Sequence, residues 1–216
     1  MFLKLKEPEW GKLLLENLND FADKNYFLSK YIPITADIFV FVYPIYLVYL
    51  YLYGVYNKNV NYKYASLYIF FSGVTSMIVS QAFQFLIIKD RPEDHIESQK
   101  NLVLEHLPDV SIPSDHMTLS MAIATSSMLW GLQNKNRFLL AFSFVLFIFS
   151  FIMGISRVMG GIHRPTDIIA GFFLGILCPL ILIRPKIYGF FKKRVFDPLI
   201  ILQKYIFEKL FGIKEY

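Results

Sequence analysis

Disulfide chemistry is missing from this sequence. Cys178 is its one cysteine, set in an apolar run, so no internal disulfide can form. Charge is scarce too. Asp, Glu, Lys and Arg make up 18% of 216 residues, against 55% hydrophobic and 18% aromatic, and the mean hydropathy is positive. That excludes an ordinary soluble domain and bounds the chain as one domain's worth of integral membrane protein. No internal repeat or low-complexity tract interrupts it. The first thirty residues lack the charged start, apolar core and small-residue cleavage site of a secretory signal, so no cleavable signal is expected. The net charge of +5 raises nucleic acid as a partner. That class is set aside, because the basic residues fall in short loops and a tail beside apolar spans, which is the pattern of membrane topology.

What is present is a series of apolar runs. Residues 34–56, 64–88, 116–133, 138–156 and 166–183 are each long enough for a helix to cross about 30 Å of hydrocarbon. They are too long for barrel strands, and backbone groups in lipid must be bonded internally. The expected class is therefore all-α, a polytopic helical bundle of five spans, or six if residues 8–30 dip into the bilayer. In 8–30, Trp10, Leu13, Leu14, Leu18 and Phe21 recur at helical spacing, with Lys12, Glu16, Asn19 and Asp23 opposite. That suits an amphipathic helix lying along the interface, or a soluble cap helix. Three regions are expected: 1–33 interfacial, 34–183 the transmembrane bundle, and 184–216 a basic tail with a second stripe at Leu199, Leu202, Ile206 and Leu210. The Lys58/Lys63 loop, the Lys135/Arg137 turn and the basic tail alternate onto one side, which marks the cytoplasm. The acidic 89–113 loop and the 157–165 loop fall on the other.

On that second side three polar clusters gather. They are Lys89-Asp90-Arg91-Pro92, Pro113-Ser114-Asp115-His116, and the stretch from Ser156 to Asp167 containing Arg157, His163 and Arg164. A charge near the bilayer centre costs roughly 2.5–3.5 kcal/mol. Such residues therefore sit at the water interface or line a polar cavity, and are functional candidates. Arginine forks and helix N-termini bind phosphate. A histidine with a carboxylate partner can be a nucleophile, and a second histidine a proton donor.

These clusters resemble the three signatures of the type 2 phosphatidic-acid phosphatase superfamily: Lys-x6-Arg-Pro, Pro-Ser-Gly-His and Ser-Arg-x5-His-x3-Asp. The third is matched in full by Ser156, Arg157, His163 and Asp167. The second is matched by Pro113, Ser114 and His116, with Asp115 in the glycine position. The first is matched at Arg91 and Pro92, with Gln84 in the lysine position. The Pro-Ser-Asp-His variant, and the run from Leu18 to Asn25, are similar to the bacitracin-resistance type of undecaprenyl-pyrophosphate phosphatase.

The resemblance implies roles. His163 attacks phosphorus, Asp167 holds its ring, and His116 protonates the leaving oxygen. Arg91 and Arg157 grip the phosphoryl oxygens with Ser114. No metal and no cofactor are implied, since arginines supply the positive charge. The implied substrate is a lipid pyrophosphate, undecaprenyl pyrophosphate, cut to the monophosphate through a phosphohistidine at an extracytoplasmic site of the cell membrane. Phosphatidylglycerophosphate, phosphatidate or lipid A phosphatases are alternatives with the same chemistry. A lipid-binding or transport protein with a decayed site is an alternative of another class, argued by Gln84. Vanadium haloperoxidases share related motifs but a soluble setting.

Plainer readings stand beside these. His163 and Asp167 could cap an interface, the arginines could snorkel to headgroups, and Ser114 and Asp115 could cap a helix. His95 and His106 read as surface histidines. Gln84, Asp115 and Lys89 are also counted among the candidate phosphate-binding residues, although Gln84 cannot replace a lysine's charge. Asp115 would oppose an anionic substrate by about 4 kcal/mol at about 4 Å and an effective dielectric of about 20. It is expected to turn away, pair with an arginine, or be protonated.

Overall fold

The apolar runs become long helices, and tight polar turns set their alternation. A computed structural model describes residues 3–89, 92 and 111–211. Its helices are α1 (Glu9–Asp23), α2 (Tyr26–Asp37), α3 (Val42–Tyr56), α4 (Val60–Leu86), α5 (Asp115–Gln133), α6 (Arg137–Met159), α7 (Pro165–Leu182), α8 (Pro185–Phe191) and α9 (Asp197–Phe211). The chain is an all-α transmembrane bundle. The expected residues Arg91, His95 and His106, with Asp90 and the acids Glu93, Asp94, Glu97, Glu105 and Asp109, lie outside the described residues.

Two turns are built alike. Asn57-Lys58-Asn59 joins α3 to α4, and Asn134-Lys135-Asn136 joins α5 to α6. In each the lysine takes a left-handed backbone, φ 52° at Lys58 and 51° at Lys135. The second asparagine of each then caps the next helix: Asn59 accepts from the Asn61 N–H, and Asn136 from the Leu139 N–H. Both turns lie at the bundle end opposite the polar clusters.

Among the described residues, four helical stretches are long and apolar enough to cross a membrane: Tyr26–Tyr56, Val60–Leu86, Arg137–Met159 and Pro165–Leu182. The first begins earlier than the expected residue 34, because α2 runs through Pro33 and a 3-10 turn (Ile38–Phe41) into α3. The expected span at 116–133 is a helix, α5, but a less apolar one. It is the central helix, packed against α4, α6 and α7. Its Thr118, Ser120, Thr125, Ser126 and Ser127 are all buried in protein, so they do not meet lipid.

Close approach of α7 to α5 depends on two glycines one turn apart. A Cβ on Gly175 would lie 2.6 Å from the Thr118 carbonyl, and one on Gly171 would lie 2.7 Å from that of Ser114. This small-xxx-small face lets the backbones meet. It brings the start of α7 against the start of α5, where two of the polar clusters lie.

The amphipathic helix expected in 8–30 is α1. It rests on the bundle through Gly11, Leu15, Asn19 and Ala22. Of the expected apolar stripe, Trp10, Leu13, Leu14 and Phe21 stay exposed and face away from the protein, whereas Leu18 packs on the bundle, and Asn19, expected on the polar side, is buried there. Ahead of it, β1 (Leu3–Lys4) pairs in parallel with β2 (Ile87–Ile88), the segment just after α4.

Candidate active site

The end of α6 and the start of α7 form one short frame. Gly160 caps α6, its N–H bonding the Ser156 carbonyl at 2.8 Å, and Gly161 turns the chain with φ 66°. Glycine takes that backbone without strain. The next two N–H groups, of Ile162 and His163, both return to the Arg157 carbonyl at 2.9 and 3.2 Å. Pro165 then opens α7 in the favoured first helical position. The spacing of the third motif is thus a structural unit that carries Arg157, His163 and Asp167 together.

Asp167 is fully buried and bonded on several sides. Its Oδ2 accepts from the Arg164 N–H at 2.8 Å and from the Ser111 hydroxyl. Its Oδ1 accepts from Lys89 Nζ at 2.6 Å. His163 Nδ1 stands 3.6 Å from Oδ2. That is ion-pair range and longer than a hydrogen bond, as is common before a substrate draws a site together. Because Nδ1 faces Asp167, Nε2 is the ring nitrogen left to face a substrate. The Ser114 N–H donates to the Asp167 carbonyl at 3.0 Å, which ties the start of α5 to this frame. The Ser114 hydroxyl is buried and has no hydrogen-bond partner among the described residues.

A second buried carboxylate, Asp37, works on the other side. It ends α2 and receives Arg157 Nη1 at 2.7 Å, while His116 Nε2 lies 3.7 Å from the same oxygen. Arg157 also donates to the Ala36 carbonyl at 3.2 Å. Asp37 therefore fixes the expected phosphate-gripping arginine and the expected proton donor in one frame. It was not among the residues expected from the motifs. A signal existed: Asp37 stands alone in an apolar stretch, and an intramembrane acid is by default a functional candidate.

The departures from the motif pattern account for each other. Asp115 turns away from the frame toward α4. There it accepts from Ser80 Oγ at 2.7 Å, Gln81 Nε2 at 2.9 Å and Gln84 Nε2 at 2.9 Å. Gln84 also donates to the Pro113 carbonyl at 2.9 Å. The glutamine in the lysine position thus packs on the aspartate in the glycine position. Both were also expected among the phosphate-binding residues; bonded to each other and to α4 instead, they depart from that expectation.

Lys89, considered for phosphate, is engaged elsewhere. It is buried, and its ammonium reaches Glu7 Oε2 at 2.6 Å, Asp167 Oδ1 at 2.6 Å and the Thr166 hydroxyl. An ammonium has three donors, and these three partners occupy them. The geometry corrects that expectation, making Lys89 a support for Asp167. Glu7, its other partner, lies in a mixed Lys/Glu stretch and gave no sequence signal.

The order and spacing of these elements can be set against known proteins. A model described as the PAP2 superfamily matches residues 65–187. The chain belongs to the PAP2 superfamily. It is 34% identical over 80 residues to the bacitracin transport permease protein BcrC of Bacillus licheniformis, covering 37% of this chain and 36% of that one. Against the undecaprenyl-diphosphatase BcrC of Bacillus subtilis it is 21% identical over 171 residues, 79% of this chain and 81% of that one. The chain thus spans about a third of the first relative and most of the second. Two comparisons are with solved structures. One is LpxE of Aquifex aeolicus, with TM-score 0.55, 22% identity, and coverage of 84% and 98%. The other is a transmembrane PAP2-type phosphatidylglycerolphosphate phosphatase of Bacillus subtilis, with TM-score 0.59, 19% identity, and coverage of 87% and 89%. This PAP2 chain is a multi-pass membrane protein.

Proposed function

We propose that the protein hydrolyses undecaprenyl pyrophosphate to undecaprenyl phosphate and inorganic phosphate. His163 Nε2 attacks the terminal phosphorus, so an N–P bond forms as the bridging P–O bond breaks. His116 gives its proton to the departing undecaprenyl phosphate. Asp167 holds Nδ1–H and offsets the positive charge that grows on the ring. Arg157, Arg91 and Ser114 bind the phosphoryl oxygens, a role electrostatics alone can fill. Water then attacks the phosphohistidine, and His116 takes up its proton. The observation that carries this reading is the pair of buried carboxylates: Asp167 on His163, and Asp37 on both Arg157 and His116.

An apolar groove supports a lipid substrate. It has a volume of about 630 Å³ and lies between the first two spans and α5, with Phe41, Phe70 and Ile78 among its walls. Gln81 lines it and also bonds Asp115, the neighbour of His116. A lipid chain in the groove would bring its head to the histidines. The choice of the prenyl pyrophosphate rests on the motif variant and on the relative named an undecaprenyl-diphosphatase, at 21% identity. The basic Asn-Lys-Asn turns, at the opposite end, support an extracytoplasmic site. The exposed stripe of α1 supports an interfacial N-terminal helix beside it.

The test is phosphate release in detergent from undecaprenyl pyrophosphate, phosphatidylglycerophosphate, phosphatidate and a lipid A phosphate. The prenyl pyrophosphate is expected to be cut fastest, and His163→Ala to lose more than about 1,000-fold in kcat. Faster release from another lipid overturns the substrate. An active His163→Ala overturns the mechanism, and an inactive wild type favours a lipid-binding role.

A further inference from the structure

We propose that Glu7 is a positioning residue of the active site, holding Lys89 so that Asp167 keeps its charge for His163. The inference rests on the role proposed above for His163. Lys89 stands between two carboxylates, 2.6 Å from Glu7 and 2.6 Å from Asp167. The Glu7 and Asp167 side chains are 0% exposed and that of Lys89 is 3% exposed, so water screens none of this. Attraction between such charges is strong in a dry setting. With Glu7 gone, the whole ammonium charge falls on Asp167, and less of the carboxylate's field is left for the ring of His163.

Glu7 is built into place from three directions. The Thr166 hydroxyl bonds its Oε2, and the Thr166 N–H points to its Oε1 at 3.4 Å. It thus caps the first turn of α7, one residue before Asp167, where backbone N–H groups and the helix dipole favour a carboxylate. The β1–β2 pairing and the Leu5 N–H to Ile88 carbonyl bond at 3.1 Å fix the backbone just ahead of it. Gly11 leaves the room. A Cβ there would lie 2.1 Å from Glu7 Oε1. No other residue type fits at position 11 while the carboxylate stays where it is. The N-terminal segment is therefore part of the site, although it lies outside all three motifs.

The test uses the full chain in detergent with its best lipid substrate. Glu7→Gln keeps size and one acceptor oxygen but removes the charge and the second acceptor, which faces the Thr166 N–H. It is expected to lower kcat about 10- to 100-fold, as loss of a group that orients an active side chain does, with KM unchanged. Gly11→Ala removes no charge and favours the helix. It pushes the flexible end of Glu7 aside and is expected to reproduce the kcat loss with the unfolding temperature held. In a Lys89→Gln background, Glu7→Gln is expected to add no further loss, because both act through one ammonium. Wild-type kcat in both Glu7→Gln and Gly11→Ala, with His163→Ala inactive, overturns the role of Glu7 alone. Additive losses in the double variant also overturn it. An active His163→Ala brings down the proposed mechanism instead, and this inference with it.

Discussion

At one end of the bundle Glu7, Lys89, Asp37, Arg157 and Asp167 are buried, and each carboxylate faces more than one partner. At the other end Lys58, Lys135 and Arg137 are exposed, and the Lys192–Asp197 pair lies at 3.1 Å with side chains 41% and 33% exposed. Lys63, at that end, is buried, and among its contacts is a hydrogen bond to the neutral Gln203 at 3.1 Å. The sequence carries similar charges at both ends, but the fold treats them differently. Removing ions from water costs several kcal/mol each, and a hydrophobic core of the same volume is often as stable. Buried carboxylates paired with buried cations at one end, against mostly exposed charges at the other, fit a site that serves chemistry rather than stability.

That contrast can be broken first at Asp37. Asp37→Ala leaves the Arg157 guanidinium buried without its carboxylate, a change that costs about 3–5 kcal/mol in comparable pairs. A large drop in unfolding temperature in detergent is expected, together with loss of phosphate release. A variant that melts like wild type would show that Asp37 is not the partner holding Arg157.

A smaller effect tests how the two helix starts are brought together. Gly175→Val puts atoms where the Thr118 carbonyl and the Met121 Cβ already lie at 2.6 Å. Overpacking of this kind costs about 1–3 kcal/mol. Activity should fall further than stability, because α5 carries His116 and α7 carries Asp167. Equal activity per folded molecule would show that the α5–α7 contact does not set the site.

The smallest effect belongs to the wet end. A hydrogen bond from Tyr64, then one from Lys192, holds the Asp197 carboxyl below its ordinary range against a burial effect of opposite sign. Hydrogen bonds to Asp197 and Tyr64 raise Lys192. The Asp197 contribution is present above its unfolded pKa and lost as pH falls through the lowered one. The Lys192 contribution is present below its unfolded pKa and lost as pH rises through the raised one. The pair's contribution is therefore flat across neutral pH. Asp197→Asn should cost less than about 1 kcal/mol there and leave kcat unchanged. A loss as large as that of Asp37→Ala would erase the distinction between the two ends.

Much of this was legible in the residues. The apolar runs gave the helices, and the unit from Ser156 to Asp167 was readable because its members are neighbours in the chain. The weaker apolarity of α5 hid no error of class; its serines and threonines face protein. What stayed illegible is long-range pairing. Asp37 meets Arg157, and Glu7 meets Lys89, across 120 and 82 positions. Asp37 at least announced itself as a lone acid in an apolar stretch. Glu7 lies among Lys4, Lys6 and Glu9, and nothing in that run distinguishes it. Gln84 and Asp115 each looked like a departure, and only their 2.9 Å contact makes them one feature.

The central claim is that phosphorus passes through the ring of His163. Quenching the purified protein during turnover of undecaprenyl pyrophosphate carrying a labelled terminal phosphate, then locating the label by mass spectrometry, tests it directly. The account predicts an acid-labile phosphoryl group on His163 that chases to inorganic phosphate and is missing from His163→Ala. Rapid turnover with the label on another residue, or with His163→Ala still releasing phosphate, would contradict it.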